Sequence, residues 1–370
     1  MIDSKLVGFV EKDFCSVVKD LTSGNPKIGS KDYLIEGRFP IIDQGSNFCS
    51  GYTNSKELLC NIELPCIIFG DHTRVLKYVD TPFALGADGV KVLKPIKGLS
   101  EKYLFYFLKN LDIPSAGYSR HFKFLKENNI KYPLQLSEQK RIVSILDKAD
   151  GIRQKREQAI KLADDFLRVT FLEMFSQLEH GANKVKLGDI VTLDAPMVDP
   201  KEEEYIDLIH IGPDRIEKKT GLLLPALTAR DENLISKKFL FDENYVLYSK
   251  IRPYLKKCAI PDFSGLCSAD MYPIKPIKSK TNREFLWQLL LSDSFNKYTK
   301  TLPDRANIPK LNRKELLNFE LSLPSISLQE NYKNIVKKIN HTKLAMRKQN
   351  SNNLLNKLAS NFFLKNQKAR

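Results

Sequence analysis

Leu136-Ser137-Glu138-Gln139-Lys140-Arg141-Ile142-Val143-Ser144-Ile145-Leu146-Asp147-Lys148-Ala149-Asp150 opens the stretch that decides the fold. It runs on to Phe171-Leu172-Glu173-Met174-Phe175 with no proline and a single glycine, Gly151. Ser137 follows the lead-in Tyr132-Pro133-Leu134 and offers an N-cap, with Glu138 as an acid in the first turn. Ile142, Leu146, Ala149, Ile160, Ala163, Leu167 and Met174 then recur at helical spacing, interrupted by Arg153 and Arg156. Ile145, Ala149, Ile152, Ala159, Ala163 and Phe166 form a second stripe beside the first, which predicts contact with more than one surface. At about 1.5 Å per residue the helix would be roughly 60 Å long, the length of a spacer or coiled-coil arm.

The C-terminal segment repeats this plan. Leu323-Pro324-Ser325 leads into a proline-free stretch with Ile335, Ile339, Thr342, Met346, Leu355, Leu358 and Phe362 at helical spacing. Matching Ile142-Val143 to Ile335-Val336 puts the repeat at 193 residues, and matching Phe171 to Phe363 puts it at 192. The blocks before the helices also end alike: Tyr118-Ser119-Arg120-His121-Phe122-Lys123 in the first, Arg305-Ala306-Asn307-Ile308-Pro309-Lys310 in the second. An internal repeat outweighs any single motif. It divides the chain into a globular block over 1–136, a long helix over 137–178, a second block over 179–324 and a second long helix over 325–370.

Within the blocks, short apolar runs between turn residues read as strands: Phe39–Asp43, Pro65–Phe69, Ile206–His210 and Tyr245–Tyr248. Glu101–Leu108 and Arg283–Leu291 read as helices, so the expected class is α+β.

With 42% hydrophobic and 28% charged residues in a chain of 370, disorder is excluded as the main state and about two domains are expected. The longest apolar runs, such as Leu286–Leu291, are too short to span a bilayer, and the start Met1-Ile2-Asp3-Ser4-Lys5 lacks signal-peptide character, which gives a cytoplasmic expectation. Six cysteines without a CxxC pair and five histidines without HxxxH spacing predict reduced thiols and no metal site. The net charge of +15 favours a nucleic-acid partner, and the segment 325–370 alone holds ten basic residues against one acidic.

Catalytic signatures are missing. Gly24-Asn25-Pro26-Lys27-Ile28-Gly29-Ser30-Lys31 places its lysine after the serine, where it cannot serve a phosphate loop. No GxGxxG follows a strand, no GxSxG elbow occurs, and the aminomethyltransferase Asn/Asp-Pro-Pro-aromatic motif is absent. Pro213-Asp214 with Glu217-Lys218-Lys219 has the residue types of a PD…(D/E)xK nuclease, but both acids lie on one short turn.

The residue types for DNA readout are present, and they occur twice. Gln44, Ser46 and Asn47 lie on a polar turn after a strand, where Gln and Asn amides can pair with adenine. Tyr118, Arg120, His121 and Lys123 mix phosphate and guanine ligands with aromatic rings. In the second block, Ser249, Lys250, Arg252, Tyr254 and Lys256 follow a strand directly, and Arg305, Asn307 and Lys310 stand where Arg120 and Lys123 do in the first.

These stretches carry a resemblance. The run 136–150 with 171–175 resembles the central long helix of the specificity (S) subunits of type I restriction-modification systems. Gly37–Gly45, Gly51-Tyr52-Thr53, Asp88–Pro95 and Arg120–Lys123 are similar to that family's first target-recognition domain; Leu247–Leu255 and Cys267–Pro273 are similar to its second. Lys186-Leu187-Gly188-Asp189-Ile190 matches a common domain start of the family, whereas Val7-Gly8-Phe9-Val10 in the first block departs from it.

The resemblance implies two tandem α/β target-recognition domains, each reading half of a split, asymmetric site in double-stranded DNA. It implies two long helices packed as an antiparallel coiled coil that set the half-site spacing and dock partner subunits through Ile142, Leu146, Ile160, Leu167, Phe171, Ile335, Ile339 and Leu358. Two modification subunits using S-adenosylmethionine, and restriction subunits using ATP and Mg, would do the chemistry; this chain would hold no cofactor and catalyse nothing. On the residues alone, two other classes stay open: a nuclease or methyltransferase with unrecognised motifs, and a coiled-coil scaffold for proteins.

Overall fold

The computed structural model describes residues 8–86, 89–115, 117, 119–175, 184–302, 308–351 and 354–363. In chain order the first block forms β1 (Phe9–Asp13), α1 (Phe14–Val17), β2 (Val18–Asp20), β3 (Phe39–Ile42), β4 (Gly51–Thr53), β5 (Cys66–Gly70), β6 (Leu76–Val79), β7 (Ala84–Leu85), β8 (Val90–Pro95), α2 (Glu101–Lys109), α3 (Phe122–Lys126) and β9 (Asn129–Pro133). The long helix α4 (Leu136–Phe175) follows. The second block forms β10 (Lys184–Lys186), β11 (Val191–Thr192), β12 (Met197–Val198), β13 (His210–Ile211), β14 (Lys238–Phe241), β15 (Val246–Ser249), β16 (Cys258–Ala259), β17 (Gly265–Cys267), β18 (Met271–Pro276), α5 (Arg283–Leu291), α6 (Asp293–Lys300), α7 (Arg313–Leu317) and β19 (Glu320–Ser322). The chain closes with α8 (Ile326–Ser351) and α9 (Leu354–Phe363). No helix of the described residues is long and apolar enough to cross a membrane.

Two compact units result: Met1–Arg156 with Gln349–Arg370, and Glu157–Lys348. Each contains a four-stranded antiparallel sheet, β2-β8-β5-β6 in the first and β11-β18-β15-β16 in the second. Each has a mixed sheet with one parallel pair, three-stranded β4-β3-β7 in the first and four-stranded β12-β14-β17-β13 in the second, and a two-stranded antiparallel ribbon, β1-β9 and β10-β19. The central strand β5 is the run Cys66-Ile67-Ile68-Phe69-Gly70, buried throughout, as a strand covered on both faces must be. In both units a helix capped by a polar side chain covers the sheet: Ser100 Oγ accepts from Tyr103 N in α2, and Asn282 Oδ1 accepts from Phe285 N in α5.

The long helices are shared out in the same way. In the first unit, Ile142, Leu146 and Ala149 from the start of α4 and Leu355, Ala359 and Phe363 from α9 enter one core. Phe363 meets Tyr103 and Phe107 of α2 edge-on at 5.5 and 5.3 Å. In the second, Tyr332 and Val336 of α8 join Leu167, Phe171 and Phe175 from the end of α4. Phe171 and Phe175 lie 5.6 and 5.1 Å from Phe285 of α5, and 5.4 and 5.7 Å from Tyr332. Each such ring pair is worth about 0.5–1.5 kcal/mol beyond the area it buries. Each block thus closes its core with the beginning of the helix that follows it and the end of the other long helix.

Three sequence expectations change. Leu136 and Ile326 begin the long helices and the buried Gln139 and Gln329 are the fourth residue of each, so the repeat runs 190 residues there rather than 193. Ile142 then corresponds to Tyr332 and Leu146 to Val336, all buried. An apolar stripe fits nearly as well after a slip of three residues, close to one turn, so periodicity alone does not fix the register. Second, Ser137 is inside the first turn of α4 and is not its cap; Glu138 N and Gln139 N donate to the Gln135 carbonyl. At α8 the expected pattern holds, with Ser325 Oγ accepting from Leu328 N. Third, residues 206–208 form turns through Ile206 N to Glu202 O and Leu208 N to Tyr205 O, and the strand is only His210–Ile211.

Candidate nucleic-acid interface

In the first unit the turn after β3 is built around Asp43, whose carboxylate accepts from Gly45 N and Ser50 Oγ. The Lys77 ammonium, almost fully buried, donates to the Asp43 carbonyl at 2.7 Å. Burial pushes the Lys77 pKa down, with Asp43 acting against it. Gln44 is half-buried and works within the protein: its Oε1 accepts from His72 N, and its carbonyl accepts from Thr73 Oγ1 at 2.6 Å. Its amide lies where a Cβ on Gly89 would stand within 2.6–2.8 Å, so glycine is required there, also by its φ of +89°. Ser46 and Asn47 are exposed, as is Phe48.

The end of the first block docks onto the loop after β5. His121 is 1% exposed, with its Nδ1 3.0 Å from the Asp71 carbonyl, and Phe122 N donates to Asp71 Oδ1 at 2.7 Å. His121 is therefore a buried anchor of the loop. Arg120 and Lys123 on either side of it are exposed, and the Lys123 ammonium lies 4.7 Å from the Phe124 ring centroid.

The second unit builds the same junction. Asp71 N donates to Gly89 O and His121 N to Asp71 O; Lys250 N donates to Asp270 O and Leu311 N to Lys250 O. By this bonding pattern Lys310 stands where Arg120 does. A bridge between Ile251 and Lys310 and a bond from Arg252 N to Pro309 O at 2.8 Å hold the two basic segments together.

Several of the expected cations are partly committed inside the protein. Lys250 Nζ donates to Ala269 O at 2.6 Å and lies 4.5 Å from the Tyr272 ring centroid. Burial, then the neighbouring Lys310, holds the Lys250 pKa below its ordinary value. Lys256 Nζ is bonded to Asp293 Oδ1 at 2.6 Å, and that bond lowers the Asp293 pKa. Lys310 Nζ reaches Asp270 Oδ1 at 3.1 Å on an exposed surface. Ser249 is buried, with its Oγ on the Ile251 carbonyl, and so supports the loop from below.

Arg252 and Tyr254 are exposed. Arg252 and Lys256 both have φ of 49° and bracket the short turn Pro253–Leu255, a backbone cost of about 1 kcal/mol or more at each site that presents Tyr254 outward. Tyr118, Arg305 and Asn307 lie outside the described residues.

Composition and spacing missed Arg74 and Asp71. Arg74 holds a left-handed φ of 62° and its guanidinium donates to the Ile113 carbonyl at 2.8 Å; Asp71 is the buried carboxylate that seats the His121 segment. The buried turn acid directly after a strand was the readable signal for the latter.

The expected docking residues also sort differently. Ile142, Leu146, Leu167 and Phe171 are core residues, 0–6% exposed, and Ile335, Ile339 and Leu358 are partly buried against the same cores. Ile160 is partly buried. The exposed apolar face of α4 is another one: Leu162, Phe166, Val169 and Leu172, 42–60% exposed, recur at three- and four-residue spacing. Among the described residues, no group of three or more His, Cys, Asp or Glu is placed to hold a metal ion. Asp214 is paired with Arg215 at 3.1 Å, and Glu217 accepts from Thr220 Oγ1.

Known proteins share this architecture. The crystal structure of a type I restriction-modification system S subunit from M. genitalium matches with a TM-score of 0.59 at 16% identity, covering 98% of each chain. The type I restriction enzyme EcoDI specificity subunit of Escherichia coli is 37% identical over 136 residues, which are 37% of this chain and 29% of that protein. The family model described as type I restriction modification DNA specificity domain matches residues 12–162 and again residues 180–357. The two matches take in both globular blocks and most of both long-helix segments, and the chain belongs to this family of type I restriction-modification specificity proteins.

Proposed function

We propose that this chain is the DNA-specificity subunit of a type I restriction-modification complex and is itself non-catalytic. The observation that carries this reading is the doubled junction: one bonding pattern sets Arg120 and Lys310 on corresponding exposed loops of two units built alike. Two equivalent basic loops suit a bipartite site in double-stranded DNA, one half per unit. Arg120, Lys123, Arg252, Lys310 and Tyr254 would contact DNA directly, with Ser46 and Asn47 at base edges. Gln44, His121, Ser249, Lys250 and Lys256 would shape the loops, and Tyr118, Arg305 and Asn307 keep their assignment from sequence.

The long helices would pair as an antiparallel coiled coil and set the half-site spacing. Supporting this in the second unit, Leu167 of α4 accepts from Tyr332 of α8, while Asp164, earlier in α4, meets Lys343, later in α8. The face of Leu162, Phe166 and Val169 would dock modification subunits, which bring S-adenosylmethionine; restriction subunits would bring ATP and Mg. Co-expression with a modification subunit in a methylation-free host, followed by mapping of modified adenines, tests the reading. It expects a split motif with one fixed gap. A motif without a gap, or DNA turnover by the chain alone, would overturn it.

A further inference from the structure

The fourth residue of each long helix is a glutamine that is 0% exposed, and the two glutamines bond to corresponding segments. Gln139 Oε1 accepts from Ser100 N at 2.7 Å, and its Nε2 donates to Gly98 O at 2.9 Å and Pro133 O at 2.7 Å. Gln329 Oε1 accepts from Thr281 Oγ1 at 2.8 Å and Asn282 N at 3.3 Å, and its Nε2 donates to Lys280 O at 3.2 Å and Pro324 O at 2.9 Å. Ser100 and Asn282 are the N-caps of the helix covering each sheet; Pro133 and Pro324 precede each long helix.

One carboxamide therefore ties three segments together: the cap of the covering helix, the residues leaving the ribbon, and the first turn of the spacer. A buried amide is costly unless all its groups are bonded, and here donor and acceptor are both used. Only glutamine offers an acceptor and two donors at this reach. A carboxylate lacks the donors, and an apolar side chain would fill the space without fixing any angle. Two copies of such a network, inside two cores that could have been apolar, point to geometry as their use.

We propose that Gln139 and Gln329 are positioning residues that fix the angle at which each recognition unit joins its long helix, and thereby the gap between the two DNA half-sites. This rests on the specificity-subunit reading above. The leverage is large. On an arm of about 60 Å, rocking by about 3° displaces the far end by about 3.4 Å, one base-pair step. Loss of the joint should therefore appear first in spacing.

The test is adenine mapping with the wild-type complex and with complexes carrying Gln139→Met, Gln329→Met or both. Wild type should give one gap. The variants should keep both half-site sequences and add sites whose gap differs by one base pair, at about a tenth of all modified sites or more. An unchanged single gap in the variants, with or without a lower melting temperature, would overturn the proposal and leave the glutamines as packing residues. If a methionine variant does not fold, Gln139→Glu keeps the acceptor for Ser100 N and removes the donors; it must broaden the gap too, and a single gap would overturn the proposal. Wild type without any split motif would instead sink the underlying reading, so the two failures are told apart.

Discussion

Asp164→Ala should destabilise the second unit more than removal of its partner, Lys343. Lys343 is 4% exposed, and its ammonium bonds to Asp164 Oδ1, with Asn340 Oδ1 next at 3.3 Å. Breaking a buried pair so that one charge is left unpaired costs about 3–5 kcal/mol. Two features reduce that here: the Asp164 side chain is 21% exposed, and the lysine stem can swing its head toward water. We expect about 2–3 kcal/mol for Asp164→Ala. Lys343→Met keeps the packing and leaves a carboxylate that water can reach, for about 1 kcal/mol or less. The double variant Asp164→Leu with Lys343→Met should lie within about 1 kcal/mol of wild type.

The protein contains one tryptophan, Trp287, buried in this unit's core with its Nε1 bonded to Cys258 O at 3.0 Å. Its fluorescence in a urea titration reports this unit. For a unit of this size the loss in Asp164→Ala corresponds to roughly 5–10 °C of melting temperature. A cost below about 0.5 kcal/mol for Asp164→Ala, or a greater cost for Lys343→Met, would refute the reasoning.

Arg120→Ala and Lys310→Ala should each weaken DNA binding by the assembled complex and reduce the slope of log affinity against log salt by about 0.9, without lowering stability. His121→Ala should instead cost about 1–3 kcal/mol of stability in the first unit, measured by circular dichroism; equal stability with weakened DNA binding would restore it as a ligand. Phe166→Asp should abolish co-purification with the modification subunit while leaving the Trp287 transition in place, and retained co-purification would move the docking face elsewhere. Asp150 is mostly buried; burial alone would raise its pKa, but Lys109, Arg153 and Gln154 outweigh it and hold the carboxyl below its usual range. Because the native value is the lower one, the stabilisation is complete above the unfolded value of about 3.9 and fades as pH falls through the native value. Asp150→Asn should thus lose stability at pH 7 and converge on wild type in acid, and a constant deficit from pH 7 down to 2 would contradict this.

The long helix, the duplication, α2 and α5 could be read in the sequence because each follows a simple rule of periodicity or punctuation. Register could not: a stripe with gaps at Arg153 and Arg156 tolerates a slip of three residues, and the bonds of Gln139 and Gln329 that fix it are non-local. Which apolar positions of α4 are buried could not be read, because two apolar stripes differ only in what packs against them; Leu167 shares a core with Tyr332, whereas Phe166 is exposed. At the candidate interface, residue types located the two loops that the structure joins in one bonding pattern. Whether a given side chain faces outward depended on partners distant in sequence, such as Asp293 for Lys256 and Asp71 for His121. The bases read follow from loop pose and DNA shape, which residue identity does not encode.

The central claim is that each unit reads its own half of one DNA site. Replacing residues 179–324 with the corresponding block of a family member of different specificity, then mapping modified adenines after co-expression with the modification subunit, tests it most directly. The account predicts that one half of the motif changes while the other half and the gap are retained. A change in both halves, or in neither, would contradict it.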